Sequence, residues 1–210
     1  MEISPAITTG QFQNVETWNI VDLMDRPDDP VPCWIEPAVL PKSGKLLFGG
    51  ESKTGKSIIM LEMARALAQG QPPFGCPVLH VPEPLKVLVV EQEIGEWGLK
   101  KRASKIFAGE NRELLQQNFF GVSKVRGLAV NETDSIKFLV ELIHRTGAQV
   151  VFLDPIGKMH TYDENDNSQI NRLFRRLDEL IDACKGLQTS LVISHHFGKP
   201  GNLKDSRFGP

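Results

Sequence analysis

The feature that most limits how this chain can fold is an apolar run at residues 45–48 that leads directly into G-x-x-x-x-G-K-S at residues 50–57. Glycines in this pattern let successive backbone N–H groups point at phosphate oxygens, while Lys56 reaches the phosphates and the Ser57 hydroxyl reaches a bound Mg²⁺. The apolar run predicts a buried strand, and residues 57–69 predict a helix. A strand, a glycine-rich loop and a helix in this order favour a phosphate-binding loop over the alternative, a glycine-rich turn that binds no ligand.

Each residue of this loop and of the first helical turn is predicted to lie against the phosphates of a bound nucleotide. The positive N-terminal end of the helix would add to the attraction for an anion. The predicted nucleotide-binding residues are Gly50, Glu51, Ser52, Lys53, Thr54, Gly55, Lys56, Ser57 and Ile58. The ligand that such a loop predicts is ATP with Mg²⁺.

Composition and charge agree with a globular protein and argue against several other classes. The chain has 210 residues, of which 40% are hydrophobic, and a formal net charge of −2. That charge does not indicate a surface covered with positive groups for tight DNA binding, although a local basic patch would leave the total unchanged. The three cysteines are scattered and form no C-x-x-C pair, so neither a disulfide framework nor a zinc site is indicated.

The amino terminus lacks the pattern of a targeting segment. MEISPAITTG contains no basic stretch followed by an apolar one, and the longest apolar runs, such as residues 87–90, are too short to cross a bilayer. We therefore expect a cytoplasmic protein.

Residues 1–41 predict an N-terminal arm, and residues 42–210 predict the core. The arm is rich in Pro and Asp and has only a short helical pattern around residues 18–24. Trp34 and Ile35 are expected to dock on the core, because an apolar residue in a linker usually buries its surface.

Beyond the loop, short apolar segments alternate with amphipathic ones. Strands are predicted at residues 86–93, 119–122, 150–154 and 190–196, and helices at residues 96–108, from residue 133 and at residues 170–184, the first with a solvated face formed by Lys100, Lys101, Arg102 and Lys105. Asn131 or Thr133 would cap the second helix, and one of residues 166–168 would cap the third. This alternation predicts an α/β fold, a doubly wound and mostly parallel sheet with helices on both faces and functional groups at the carboxyl ends of its strands.

The apolar segment at residues 150–154 ends in Asp154. An acid at the end of a later strand is the second half of a Mg²⁺ site, since it holds the ion opposite Ser57, directly or through water. A strand-terminal Asp on its own would more often cap a helix, but the phosphate-binding loop favours the metal role here.

Hydrolysis also needs a carboxylate that orients water for attack on the γ-phosphate. Pro155 follows Asp154, so the carboxylate has to come from another strand, and the segment that contains Glu91 and Glu93 is the natural source. Alternation would turn both side chains to the same side of an extended strand. We predict that Glu93, which lies further past the edge of the sheet, is the catalytic group, with Glu91 as the alternative.

Four segments resemble those of a known family. GGESKTGKS, a strand that ends VVEQE, FLDP, and ISHHFGK followed by DSRFG are similar to the motifs of RecA-like ATPases. Within that family the chain resembles the branch of hexameric replicative helicases of the plasmid RepA type and their ATPase relatives. The resemblance covers residues 34–209 and implies a RecA-like fold for the core.

The resemblance also implies roles for single residues. The glutamate after the second strand is catalytic in the family, which implies Glu93, and Lys56 assists it at the phosphates. A polar residue after the fifth strand senses the γ-phosphate, which implies His195, with His196 as the alternative. Residues 205–209 resemble the family's D-x-R-G segment but carry an additional Phe inside it.

A ring of subunits, a hexamer in this branch, is a further implication, with a nucleotide at each interface and an arginine from the neighbouring subunit at the γ-phosphate. RecA-like cores continue past their fifth strand, so we expect the chain to be a fragment of a longer protein. Arg207 or Lys199 would reach across an interface, although an exposed basic loop residue is the simpler interpretation.

In RecA-like rings, the loops that correspond to residues 157–169 and 197–205 face single-stranded DNA. The first loop is acidic here and the second offers two lysines, so phosphates would find little positive charge there. We expect a Mg²⁺-dependent ATPase that acts as a helicase-type motor on single-stranded DNA. The alternative is a regulatory or scaffold ATPase whose nucleotide state switches protein contacts without nucleic acid.

Overall fold

The structure is a computed structural model that describes residues 18–27 and 31–196. The chain divides into two compact units, Met1–Val31 and Pro32–Pro210. In the first unit, α1 spans Ile20–Met24, and the Asn19 side chain caps it by accepting a hydrogen bond from the Asp22 N–H at 2.9 Å. The second unit contains the sheet and begins ahead of residue 42, where the core was predicted to start.

The main sheet consists of five parallel strands: β3 (Lys45–Gly50), β4 (Val87–Glu91), β5 (Phe119–Ser123), β6 (Val150–Asp154) and β7 (Ser190–His196). Their spatial order is β3-β7-β6-β4-β5. A separate antiparallel pair consists of β1 (Cys33–Ile35) and β2 (Leu40–Pro41). The predicted doubly wound parallel sheet is confirmed, because every strand that was expected from an apolar run lies in it. The prediction that the first strand is buried is wrong: β3 lies at the edge of the sheet, and its residues alternate between exposed and partly buried.

Helices cover both faces of this sheet. They are α2 (Lys56–Gln69), α3 (Gly95–Ile106), α4 (Arg112–Asn118), α5 (Thr133–Thr146) and α6 (Asn167–Ala183). Alternate residues of each central strand belong to two different cores: Val151 and Leu153 pack in the core formed with α5 and α6, whereas Val150 and Phe152 pack in the core formed with α2. The parity of a residue in its strand therefore decides which helices it faces.

The core formed with α2 also contains Trp34 and Ile35, which confirms that these residues dock on the sheet-containing unit. The Trp34 indole N–H donates a hydrogen bond to the Gln188 carbonyl oxygen at 3.1 Å. The short pair β1–β2 was not predicted, because two or three residues are too few to show a period.

Helix ends follow the predicted signals in two cases and depart from them in one. Gly70 ends α2 with φ of +66°, and Asp166 caps α6 by accepting hydrogen bonds from the Ser168 and Gln169 N–H groups. Hydrogen bonds with the side chains of Ser168 and then Gln169, followed by the backbone bonds, lower the pKa of Asp166 to about 2. The expected cap of α5 is wrong: its N-cap residue is Glu132 without a side-chain bond, and the Asn131 side-chain oxygen instead accepts from the Thr161 N–H at 3.0 Å.

None of the helices within residues 18–27 and 31–196 has the length and apolar character that crossing a membrane requires.

Candidate active site

The phosphate-binding loop joins β3 to α2 and keeps its lysine close to its own backbone. Lys56 is 8% exposed, and its Nζ donates hydrogen bonds to the carbonyl oxygens of Gly50 at 2.8 Å and Glu51 at 2.6 Å. The Thr54 hydroxyl donates to the same Glu51 oxygen at 2.9 Å. Gly55 has φ of +89° immediately before α2, a conformation that glycine adopts without strain. The loop is thus a tight turn that holds an ammonium group at the N-terminal end of α2.

Backbone N–H groups of this loop are open to an anion. Among the residues that the structure describes, none accepts a hydrogen bond from the N–H groups of Ser52, Lys53 or Gly55. The N-terminal end of α2 contributes partial positive charge at the same place. Open donors beside a buried cation fit the phosphate groups of a nucleotide.

A cavity of about 330 Å³ lies beside the loop. Its volume is within the range of small-molecule sites. Besides the loop, the cavity is bordered by three side chains that come from separate segments of the chain. The lining residues are Ser52, Lys53, Thr54, Gly55, Lys56, Ser57, Ile58, Glu93, Arg102 and His196.

The two candidate glutamates have different surroundings. β4 ends at Glu91, so the alternation that was expected to carry Glu91 and Glu93 to the same side does not continue. Glu91 is 3% exposed, and its carboxylate accepts hydrogen bonds from the N–H groups of Glu93 and Ile94 at 2.5 Å each and of Gly95 at 2.8 Å. The Ser123 hydroxyl donates to it at 3.1 Å. The Glu91 carboxylate therefore stabilises the start of α3 through hydrogen bonds. Glu93, in contrast, borders the cavity.

Asp154 ends β6 with a buried carboxylate that is 7% exposed. The fully buried Ser194 of β7 donates its hydroxyl hydrogen bond to Asp154 Oδ1 at 2.5 Å. Asp154 and Ser57 line one small cavity together with Glu91. The Ser57 hydroxyl and the Asp154 carboxylate therefore border the same cavity. Ser194, which was not predicted from the sequence, orients the Asp154 carboxylate.

The two histidines at the end of β7 lie on opposite sides of the sheet. His196 shares the parity of Val192 and borders the phosphate-binding cavity, whereas His195 lines an apolar groove with Leu47 and Phe174 on the other side. The structure thus brings His196 to the loop and does not bring His195 there. Within the described part of the chain, the buried Nδ1 of His196 has no hydrogen-bond partner.

The AAA domain family matches the chain over residues 11–202. The chain is a member of this family. Among curated proteins, none matches it significantly. The general activity of the AAA domain is nucleotide-dependent ATP hydrolysis, so the family and the geometry of the phosphate-binding loop agree on a nucleotide ligand.

Arg102 is a residue of this AAA domain that lines the cavity and whose position the sequence pattern did not predict. It was assigned to the solvated face of the helix at residues 96–108, yet it is half-buried and borders both the phosphate-binding cavity and the small cavity at Asp154. Its position three residues after Leu99 and four before Ile106 puts it on the apolar stripe of α3. A strict count of the helical period would have separated it from the neighbouring lysines.

A larger cleft of about 870 Å³ lies between α3 and α4, away from the loop. Its charged lining consists of Lys100, Glu110 and Arg112, and Glu110 is already ion-paired with Arg65 at 2.6 Å. Among the described residues that line this cleft, no carboxylate, histidine and phosphate-binding loop come together as they do in the cavity beside the loop. The candidate active site is therefore the cavity beside the phosphate-binding loop, because of the chemistry of its lining and not because of its volume.

The residues present fit Mg²⁺ held mainly by a nucleotide. Within residues 18–27 and 31–196, no group of three or more His, Cys, Asp or Glu side chains forms a metal cage. A Ser hydroxyl and an Asp carboxylate beside a phosphate site are the donor set that Mg²⁺ uses, since it keeps several waters and binds substrate phosphates. Ser57 and Asp154 would supply these two oxygens.

Several predicted residues lie outside the described part of the chain. Lys199, Arg207, the loop at residues 197–205 and the segment at residues 205–209 all fall after His196, the last residue that the structure describes.

Proposed function

We propose that this AAA domain hydrolyses ATP with Mg²⁺ as a RecA-like motor, using Glu93 as the carboxylate that activates water. The observation that carries the proposal is that one cavity is bordered by the phosphate-binding loop, by Glu93 and by His196. Asp154 lies at the end of β6, next to β4, and is paired in register with Glu91 of β4.

Each side chain has a distinct task in this proposal. Lys56 leaves the loop carbonyls to contact the β- and γ-phosphates, and the open N–H groups of the loop bind the same oxygens. Glu93 accepts a hydrogen bond from the attacking water and orients it for in-line displacement. Arg102 and His196 border the cavity, and we place the γ-phosphate beside them because a cation or a polar donor there would stabilise the charge that develops during transfer.

Mg²⁺ would neutralise charge on the phosphates when bound with ATP. Ser57 and Asp154 are the residues proposed to hold it. The hydrogen bond from Ser194 leaves one oxygen of Asp154 engaged and presents the other, which fits a carboxylate that binds a metal through a single oxygen or through water.

The choice of Glu93 over Glu91 rests on the hydrogen bonds of the two carboxylates. Glu91 already accepts four hydrogen bonds from protein groups, three of them from backbone N–H groups at the start of α3. A carboxylate so occupied has little capacity left for a water molecule. Glu93 has the exposure and the position that the role requires.

We further propose that hydrolysis drives a helicase-type motor of the RepA branch, assembled as a ring, on single-stranded DNA. The support is the order of the motifs along the chain, together with the position of Glu93 after the strand that neighbours β6. The loop after β6 gives no electrostatic support, because its Asp163 and Glu164 would repel phosphates.

That acidic loop favours a second candidate, a regulatory ATPase whose nucleotide state switches protein contacts. The measurement that separates the two is the rate of ATP hydrolysis with and without single-stranded DNA at low salt. We expect the DNA to raise the rate several-fold. An unchanged rate, with hydrolysis itself intact, would reject the helicase-type motor and leave the regulatory ATPase.

The two histidines supply a matched pair of variants. We expect His196→Ala to lower kcat by about 10²-fold, because it removes a donor at the position where charge develops. His195→Ala should keep kcat close to that of the parent, since His195 lies on the other face of the sheet. A steady-state phosphate-release assay at saturating ATP compares them. Loss of turnover in His195→Ala with full activity in His196→Ala would contradict this assignment.

A further inference from the structure

The helix α3 exposes a tryptophan that packing does not explain. Trp97 is 76% exposed, and no residue of α3 is fully buried. Lys101, one turn further along, holds its Nζ 5.2 Å from the centre of the Trp97 ring. A large aromatic side chain left this open, with a cation over its ring, has the form of a stacking platform.

The surroundings of Trp97 are positive although the chain as a whole is slightly acidic. Over Gly95–Ile106, α3 carries four cationic side chains and the single carboxylate of Glu96. Lys124, from the segment after β5, lies close to the first turn of α3. A Cβ atom placed on Gly95, the first residue of α3, would be 3.3 Å from the Cδ and Cε atoms of Lys124. We call the surface formed by Trp97, Lys100, Lys101, Lys105 and Lys124 the Trp97 face.

The lysines of this face have no ion-pair partner among the described residues: none of the ion pairs there involves Lys100, Lys101, Lys105 or Lys124. All four are exposed. The positive potential of the face is therefore available to a polyanion.

We propose that the Trp97 face binds single-stranded nucleic acid, with a base stacked on Trp97 and neighbouring phosphates on the lysines; this inference rests on the proposed DNA-dependent function. Cationic side chains that follow a backbone together with an aromatic platform are the two elements that single strands require. A duplex hides its bases from such a ring, and an acidic peptide would use the lysines but not the stacking surface.

The position of α3 links this face to the active site. The helix α3 begins at Gly95, two residues after Glu93, and the Glu91 carboxylate accepts hydrogen bonds from the N–H groups of Glu93, Ile94 and Gly95. Single-stranded DNA that binds to α3 and orders it therefore acts on the backbone that carries the Glu93 carboxylate. This gives single-stranded DNA a route to the hydrolysis rate that does not need the acidic loop after β6.

The test measures binding of the full chain to a fluorescein-labelled dT oligonucleotide by anisotropy, at several salt concentrations. Trp97→Ala should weaken binding about 10-fold or more, as expected for the loss of one stacked base. The double variant Lys100→Ala, Lys101→Ala should weaken it further at low salt and reduce the dependence on salt by about 1.4 in log–log slope, the value for two phosphate contacts. ATP hydrolysis without DNA should stay at the parental rate in both.

Two controls make the result specific. Trp18→Ala removes another exposed tryptophan, 53% exposed, and Lys137→Ala removes an exposed lysine of α5; neither should change dT binding. If dT binds and stimulates the parent but Trp97→Ala binds equally well, the strand contacts another surface and this inference is wrong while the proposed function stands. If dT neither binds nor stimulates the parent, the proposed DNA function fails, and this inference fails with it.

Discussion

Replacement of Glu93 by Gln is expected to lower the rate of ATP hydrolysis by at least about 10²-fold while leaving Mg²⁺–ATP binding intact. The amide keeps the size of the side chain but cannot accept the proton of the attacking water or hold it by a charge-assisted hydrogen bond. Binding should persist because the phosphates are held by Lys56 and the loop N–H groups, none of which contacts Glu93 in the described hydrogen bonds. Phosphate release gives kcat, and binding of a fluorescent ATP analogue gives Kd.

Glu91→Gln is the matched control for this experiment. Its carboxylate bonds three backbone N–H groups at the start of α3. Loss of its charge should destabilise the fold by about 1–3 kcal/mol, visible as a lower Tm, whereas Glu93→Gln should leave Tm unchanged. Full turnover in Glu93→Gln together with an inactive but folded Glu91→Gln would move the catalytic role to Glu91.

Replacement of Arg65 by Met is expected to reduce the free energy of unfolding by about 3 kcal/mol. The side chain of Arg65 is 9% exposed, and its guanidinium bonds both oxygens of Glu62 at 2.7 Å and also Gln71 and Glu110 at 2.6 Å. The hydrogen bond with Glu62 raises the pKa of the Arg65 guanidinium, so it stays charged. Removal of the guanidinium leaves the partly buried carboxylates of Glu62 and Glu110 without their cation. This loss lowers the free energy of unfolding more than the loss of an exposed ion pair does.

Thermal and urea unfolding would measure this effect, with a Tm decrease of about 6–12 °C expected for a domain of this size. Lys137→Met is the matched control, because it breaks an ion pair with Asp134 in which the side chains are 69% and 96% exposed. That pair should contribute less than about 0.5 kcal/mol. Equal losses of stability in the two variants would show that the Arg65 network is no stronger than a surface pair.

The elements of the sheet were predictable because burial leaves a direct mark on the sequence. A central parallel strand is covered on both faces and reads as a continuous apolar run, as in β4 and β6. The helix α6 shows the opposite mark, an apolar stripe at the helical period. Both signals are local in the sequence, so they can be recognised without knowing which elements pack together.

The elements that escaped prediction carry weak local signals. The helix α4 has only seven residues and shows no distinct apolar stripe. In sequence it follows α3 after a short loop at residues 107–111. Its capping residue, Asn111, which accepts hydrogen bonds from the Glu113 and Leu114 N–H groups, was present but was not followed by a periodic run. Short helices of this kind are stabilised mainly by their tertiary contacts, here between α4 and α2.

The sequence by itself determined the phosphate-binding loop, because the roles of its glycines, Lys56 and Ser57 depend on residues that are adjacent in the chain. Only the tertiary structure decided which side chains from distant segments join that loop. Whether His195 or His196 reaches it depends on which face of β7 carries α2, and Arg102 reaches it because α3 packs beside α2. Glu91 and Glu93 are separated by the end of β4 and by the hydrogen bonds of α3, since a strand's alternation lasts only as long as its ladder.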